Sequence, residues 1–104
     1  MNDCRFIDPL GREFELSDHT WYEHIPSGHP EVSKHKDLVE AALTEPIKII
    51  HSQSHDDRRI YYGRGPRPKV MMAVVADLSN GKVVTAYLVK KFVKGVEEWS
   101  SLTP

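Results

Sequence analysis

The sequence has one cysteine, no long apolar run and no excess of either charge. Cys4 cannot form a disulfide within the chain, so disulfide-stapled secreted domains are excluded and a cytoplasmic location is expected. No apolar run approaches the ~20 residues of a membrane-spanning helix. Residues 1–12 lack the apolar stretch of a signal peptide. The net charge of −1 does not indicate nucleic-acid binding.

Motifs of several enzyme classes are also missing. There is no phosphate-binding Gly-rich loop, no G-x-S-x-G and no H-E-x-x-H. Cys4 has no base nearby in sequence, so a cysteine nucleophile is not expected. The length of 104 residues, with 39% hydrophobic and 28% charged residues, predicts a single globular domain over 1–104.

The first half of the sequence predicts a hairpin and two helices. Short alternating stretches at 4–7 and 13–16 flank a Pro- and Gly-containing turn. A first helix is expected over 19–25, where Pro26 and Gly28 follow it. A second runs from Pro30 to Pro46, because apolar residues recur there at helical spacing.

The second half predicts four strands, at 47–51, 59–63, 69–77 and 83–92. Asn80-Gly81 is a strong hairpin signal between the last two. Hairpins without long crossovers indicate an antiparallel meander, which the second helix would cover. The expected fold is therefore α+β, with a short N-terminal hairpin and two helices packed on a four-stranded antiparallel β-meander. Residues 95–104 receive no assignment beyond docking of Trp99 on the core.

Histidine is unusually frequent for so short a chain. Its imidazole titrates near neutrality and suits both acid–base chemistry and metal binding. His24 and His29 flank one turn and could face one pocket, whereas capping and surface roles are the ordinary alternative. A zinc site built from His24, His29 and either His51 or His55 is a further option, but no metal-binding spacing is present. The six histidines are His19, His24, His29, His35, His51 and His55.

Basic residues dominate between residues 48 and 94, which indicates either one basic face or Lys and Arg protecting strand ends. Within the strand at 59–63, Arg59 and Tyr61 face one side and Arg58 and Arg64 the other. Arginine binds phosphate and tyrosine stacks on bases. Tyr61, on the more polar row, is the predicted site tyrosine. The basic residues are Arg58, Arg59, Arg64, Arg67, Lys69, Lys82, Lys90, Lys91 and Lys94.

The pattern W-x-x-H-I…H-P-E…L-x-x-P-x-x-I…Y-Y…V-x-T-A-Y covers most of the chain, from about residue 18 to 90. It resembles the phage-associated nuclease-like domains of the barnase–EndoU–colicin–RelE (BECR) superfamily. The order of elements, helices first and then an antiparallel sheet, agrees with that superfamily. The resemblance implies a single BECR-like domain over 1–104 with its core at about 18–92. The segments that carry the resemblance are 20–25, 29–31, 41–50, 59–62 and 84–87.

The resemblance implies cleavage of RNA without metal or cofactor, through attack of a ribose 2′-OH that leaves a 2′,3′-cyclic phosphate. It assigns His24 and His29 as base and acid, with their order open. Thr85 and Tyr87 match the last-strand motif and would donate hydrogen bonds to phosphate. It also implies RNA as a partner and an immunity or antitoxin protein as another. The remaining candidates are Arg59 for holding the phosphate, Tyr61 for stacking or proton donation, and Arg58 and Arg64 for binding substrate.

Two other functions remain open at this point. A non-catalytic binding module could keep the same fold, because fold alone does not fix function. A metal-dependent hydrolase would need a metal held by His24 and His29. Convergence of His24, His29 and Arg59 in a basic cleft would favour the nuclease, whereas side chains that point apart or into the core would favour the binding module.

Overall fold

Seven strands form one curled sheet in the computed structural model, which describes residues 4–101. Across the sheet the order is β1-β2-β6-β5-β4-β3-β7. The strands are β1 Cys4–Ile7, β2 Glu13–Leu16, β3 Lys48–His51, β4 Arg58–Arg64, β5 Met71–Asp77, β6 Lys82–Val89 and β7 Glu97–Ser100. The helices are α1 Ile25–Gly28 and α2 Lys36–Thr44, with a π-helical turn at Thr20–His24 and a 3-10 turn at Pro30–Val32.

The expected four-stranded meander is wrong, because the sheet extends beyond it at both ends. The N-terminal hairpin forms, but β2 joins β6 in parallel through Glu15, whose N–H donates to the Gly81 carbonyl at 2.8 Å. At the other edge β7 pairs with β3, from a segment without any strand prediction. Both additions depend on pairing between distant parts of the sequence, which local patterns do not encode.

The helical part is smaller than expected. The predicted 30–46 helix is divided into the 3-10 turn and α2, and His35 between them has φ −127° and ψ 47°. All five residues from Ser33 to Asp37 are polar, so a continuous helix would bury nothing there. The first predicted helix is a π-helical turn that continues through Pro26 to Gly28. In the described residues, no helix has the length and apolar character needed to cross a membrane.

One face of the sheet is covered by α2. Val39 and Leu43 pack with Tyr61 and Val74 in the main core. A Cβ at Gly63 would lie 2.7 Å from the Ala42 Cα, so the glycine allows β4 and the helix to approach closely. Trp99 packs against this core, as expected. Phe14 and Leu16 of β2 also belong to this core.

The other face, called here the open face, has no helix over it in the described part of the chain. Its floor is a smaller apolar cluster of Ile50, Ile60, Tyr62 and Ala73. The segment after β6 crosses part of it: the Val93 N–H donates to the Tyr62 hydroxyl at 2.9 Å, and the Phe92 ring lies edge-on to Tyr62 at 4.9 Å between centroids. The rest of this face forms depressions open to solvent.

Candidate functional site

A cleft of about 440 Å³ lies at one end of the open face. Ile60, Val75 and Thr85 stand side by side across β4, β5 and β6 and line it. Polar side chains from the contributing segments surround the apolar side chains of Ile60 and Val75. The polar lining residues are Ser52, Gln53, Ser54, His55, Arg58, Thr85, Tyr87 and Lys94.

A bulge in β6 directs two hydroxyl groups into the cleft. The register between β5 and β6 shifts so that Ala76 pairs with Val83 but Val75 pairs with Thr85. Val83 lies in the core, so strict alternation would send Thr85 and Tyr87 to the core side as well. The extra residue in the bulge reverses this and places both side chains on the open face.

Tyr87 is suited to donate a hydrogen bond. Partial burial raises the pKa of its phenol, so the hydroxyl keeps its proton at neutral pH. On one side the ring contacts the imidazole of His29, with centroids 5.4 Å apart. His29 precedes the 3-10 turn that packs against β6, and its Nδ1 lies 3.7 Å from Glu31 Oε2. The 3-10 turn therefore places His29 against Tyr87, which lines the cleft, although His29 is not itself a lining residue.

Arg58 brings positive charge to the cleft from the start of β4. Its Nε lies 3.7 Å from Asp77 Oδ2, and Asp77 is fixed in turn by hydrogen bonds from Ser79. A guanidinium has five N–H donors, so this single long contact leaves most of them for a ligand. His55, in the turn before β4, has its Nδ1 at 3.2 Å from Ser54 Oγ. His55, Arg58 and Lys94 make the cleft suitable for an anion.

Arg59 lies on the opposite face from this cleft. Its side chain is 12% exposed, with Nε at 3.0 Å from Glu98 Oε2 on β7. Its Nη1 donates to the carbonyls of Asp56 and Arg58. His24, His29 and Arg59 therefore do not converge in one cleft, because β7 supplies a carboxylate that binds Arg59 internally. This arrangement counts toward a non-catalytic binding module.

Tyr61 is fully buried in the helix-side core, so the prediction that it contacts substrate is wrong. Its hydroxyl donates to Asp8 Oδ2 and accepts from Arg12 Nη2, and Arg12 also pairs with Glu98 at 2.6 Å. Burial and the hydrogen bond to Asp8 raise the pKa of the Tyr61 phenol. Arg59 and Tyr61, the polar row of β4, resemble a site in the sequence. Their hydrogen-bonding partners Asp8, Arg12 and Glu98 are distant along the chain, so local sequence does not reveal them.

Two more predicted residues lie elsewhere. His24 is exposed at the end of the π-helical turn and does not line the cleft. Arg64, at the far end of β4, lines a separate depression. Among residues 4–101 no three His, Cys, Asp or Glu side chains group as metal ligands, so the zinc set of His24, His29 and His51 or His55 does not come together.

Sequence reasoning did not assign His55 or Lys94 to this site. His55 was considered only as a metal ligand, although its position just before Arg58 was a usable signal. Lys94 had no such signal, because its placement depends on how the segment after β6 folds back across the sheet. Of the predicted site residues, Arg58, Thr85 and Tyr87 line the cleft, and His29 contacts Tyr87. Comparison of the chain with protein-family models, curated proteins and solved structures finds no match.

Proposed function

We propose that the chain is a ribonuclease that cleaves RNA without a metal, using the cleft on the open face. The observation that carries this proposal is a cleft lined by one imidazole, two hydroxyls and two cations, with a second imidazole, that of His29, against the ring of Tyr87. The resemblance of the sequence to the BECR nucleases supports the same reaction. An apolar strip of Ile60 and Val75 between the polar groups suits the face of a base.

In this proposal His29 and His55 share the proton transfers. One imidazole accepts the proton of the ribose 2′-OH as that oxygen attacks the adjacent phosphorus. The other donates a proton to the 5′ oxygen as the bond from phosphorus to that oxygen breaks. The products are a 2′,3′-cyclic phosphate and a free 5′-hydroxyl, so the two histidines exchange protonation states and no other reactant is consumed.

The remaining groups stabilise the phosphorane-like transition state. Arg58 and Lys94 provide positive charge for the non-bridging oxygens, which gain charge during the reaction. Thr85 and Tyr87 provide hydrogen bonds to the same oxygens, and Tyr87 can do so because it remains protonated. Fixed donors of this kind are effective because they need little reorganisation as the reaction proceeds.

The decisive experiment is incubation of the purified chain with mixed RNA in EDTA. The wild type should cleave and leave cyclic-phosphate ends, whereas His29→Ala and His55→Ala should not. His24→Ala is the matched control, because it removes an exposed histidine outside the cleft. Cleavage that survives both cleft variants would refute the assignment. Binding of RNA without cleavage by the wild type would favour a non-catalytic module instead.

A further inference from the structure

A second depression, of about 600 Å³, lies at the other end of the open face. The loop between β4 and β5 and the end of β6 form it, and within residues 4–101 no carboxylate lines it. None of its four cations takes part in the ion pairs found among residues 4–101. These cations are Arg64, Arg67, Lys69 and Lys90. In a chain with net charge −1, this is a marked local excess of positive charge.

The loop that presents these cations is tightly folded. A Cβ at Gly65 would lie 2.0 Å from the Val70 carbonyl oxygen, so the two strand ends approach closely there. Lys69 has a φ of 70°, a conformation that non-glycine residues rarely adopt. Arg67 and Lys69 are both exposed on this loop. Backbone strain of this kind tends to occur at binding sites, where the surrounding structure maintains it.

The depression and the cleft share one floor. Ile60 lines the cleft, Met71 lines the depression, and both pack in the open-face cluster with Tyr62. Arg58 and Arg64 mark the two ends along β4, six residues apart, or roughly 20 Å at ~3.3 Å per residue. A strand of a few nucleotides can cover this distance. Single-strand sites on OB folds hold about 4–16 nucleotides.

Phe92 connects the two ends. Lys90 lines the depression and Lys94 lines the cleft, so the segment between them passes from one to the other. Phe92 contacts Tyr62, which follows Ile60 on the open side of β4, and the residue is 38% exposed. Lys48 Nζ lies over the ring, 4.4 Å from its centroid, and pairs with Glu97 Oε1 at 3.0 Å. A partly exposed ring on a segment that carries Lys90 and Lys94 suits the stacking of a base of a single strand.

We propose that this depression and Phe92 bind single-stranded RNA that continues from the cleft, with the cations on its phosphates and a base stacked on Phe92. The inference rests on the proposed function, because the cleft would hold the scissile phosphate of the same strand. Sequence preference should be weak along this path, since phosphate contacts and stacking read little base identity.

The test measures binding of a 2′-O-methyl RNA of about ten nucleotides, within the range of single-strand sites, by fluorescence anisotropy. The methyl group blocks the nucleophile, so binding is separated from cleavage. The double variant R67Q/K90Q should weaken binding about tenfold and reduce the slope of log K against log salt by about 1.4, at ~0.7 per lost phosphate contact. R5Q/K82Q is the control, because it removes one arginine and one lysine from exposed positions elsewhere.

Phe92→Ser should weaken binding roughly fivefold or more, whereas Val96→Ser, at an exposed position nearby, should not. Cleavage of a dinucleotide should be unchanged in R67Q/K90Q, because so short a substrate cannot reach the depression. If the wild type cleaves RNA but R67Q/K90Q binds like its control, this inference is overturned and the nuclease stands. If binding depends on Arg67 and Lys90 without any cleavage, the nuclease fails and this surface stands. Equal binding of duplex RNA would overturn the assignment of a single strand.

Discussion

Two neighbouring arginines at the start of β4 have opposite surroundings. Arg59 points to the helix side, where Glu98 and two backbone carbonyls bind its guanidinium. Arg58 points to the open face, where its ion pair to Asp77 is 3.7 Å long and the cleft lies beside it. The difference teaches that the alternation of a strand, rather than residue type, separates an arginine bound inside the protein from one that borders a cleft.

The same contrast holds for the two faces as a whole. On the helix side, Asp8, Arg12, Tyr61 and Glu98 satisfy one another and connect the N-terminal hairpin to β4 and β7. Within residues 4–101, no buried side-chain polar atom lacks a hydrogen-bond partner. On the open face, the polar groups border solvent-filled depressions. We therefore expect substitutions on the helix side to change stability and those on the open face to change activity.

The largest expected effect is on activity at the open face. His29→Ala and His55→Ala should each lower kcat by roughly 10²–10⁴-fold, because the proposed mechanism gives each imidazole a proton transfer. Their thermal midpoints should stay near that of the wild type, because both side chains are substantially exposed. Single-turnover cleavage of a defined RNA measures the first effect, and thermal unfolding by circular dichroism the second. An equal loss of rate in His24→Ala would contradict the assignment.

The next effect is on stability at the helix side. Asp8→Ala should lower the free energy of unfolding by about 3 kcal/mol, the lower range for breaking a buried ion pair. The reason is that Asp8 is 4% exposed and accepts from Arg12 and Tyr61, which would lose this partner. Urea denaturation measures the change. Asp56→Ala is the control at an exposed loop position, and a similar loss in both variants would mean that the network adds nothing.

The adjacent arginines give the sharpest form of the comparison. Arg58→Gln should lower kcat/KM by roughly 100-fold, a size typical for loss of one transition-state donor, with little change in stability. Arg59→Gln should do the reverse and destabilise the fold by about 2 kcal/mol, since Glu98 loses a partner inside the protein. The two variants differ by one position and share the same chemical change. A loss of activity in a stable Arg59→Gln protein would reverse our assignment of the faces.

Sequence patterns predicted the local elements of this fold better than their assembly. The N-terminal hairpin and the turn at Asn80-Gly81 follow from turn chemistry within a few residues. The attachment of β2 to β6 and of β7 to β3 depends on contacts between distant segments, so no local pattern predicted it. The site shows the same limit. The prediction that Tyr61 belongs to the site is wrong. Asp8 accepts from its hydroxyl and Glu98 pairs with the neighbouring Arg12, and these two residues are 53 and 37 positions away along the chain.

A smaller effect is expected at the contact between β4 and α2. Gly63→Ala should destabilise the protein by about 2 kcal/mol, within the usual range for overpacking. The added Cβ would meet the backbone Cα of Ala42, which cannot move without shifting the helix. Gly28→Ala is the matched control, because a Cβ there meets nothing within 4 Å. Equal stability of the two variants, measured by urea denaturation, would show that the helix shifts freely.

The smallest predicted effect is a pH dependence that comes from the helix side. Burial raises the pKa of Asp8, but hydrogen bonds from Tyr61 and Arg12 and the charge of Arg12 outweigh it, and the net pKa is lowered. Burial also raises the pKa of Glu98, but hydrogen bonds and charge from Arg12 and Arg59 outweigh it, and the net pKa is lowered. A carboxylate with a lowered folded-state pKa stabilises the fold above its unfolded-state pKa of about 4, and this contribution disappears as the pH falls through the folded-state value.

The stability difference between wild type and Asp8→Ala should therefore be constant from neutral pH down to about pH 5 and shrink below about pH 4. Urea denaturation across that range measures it. The difference should not vanish completely, because a protonated Asp8 still accepts hydrogen bonds that alanine cannot. A difference that grows toward acid pH would mean that the carboxyl is protonated in the neutral fold. The hairpin would then be held by uncharged hydrogen bonds, and the contrast between a charge-satisfied face and an open one would lose its basis.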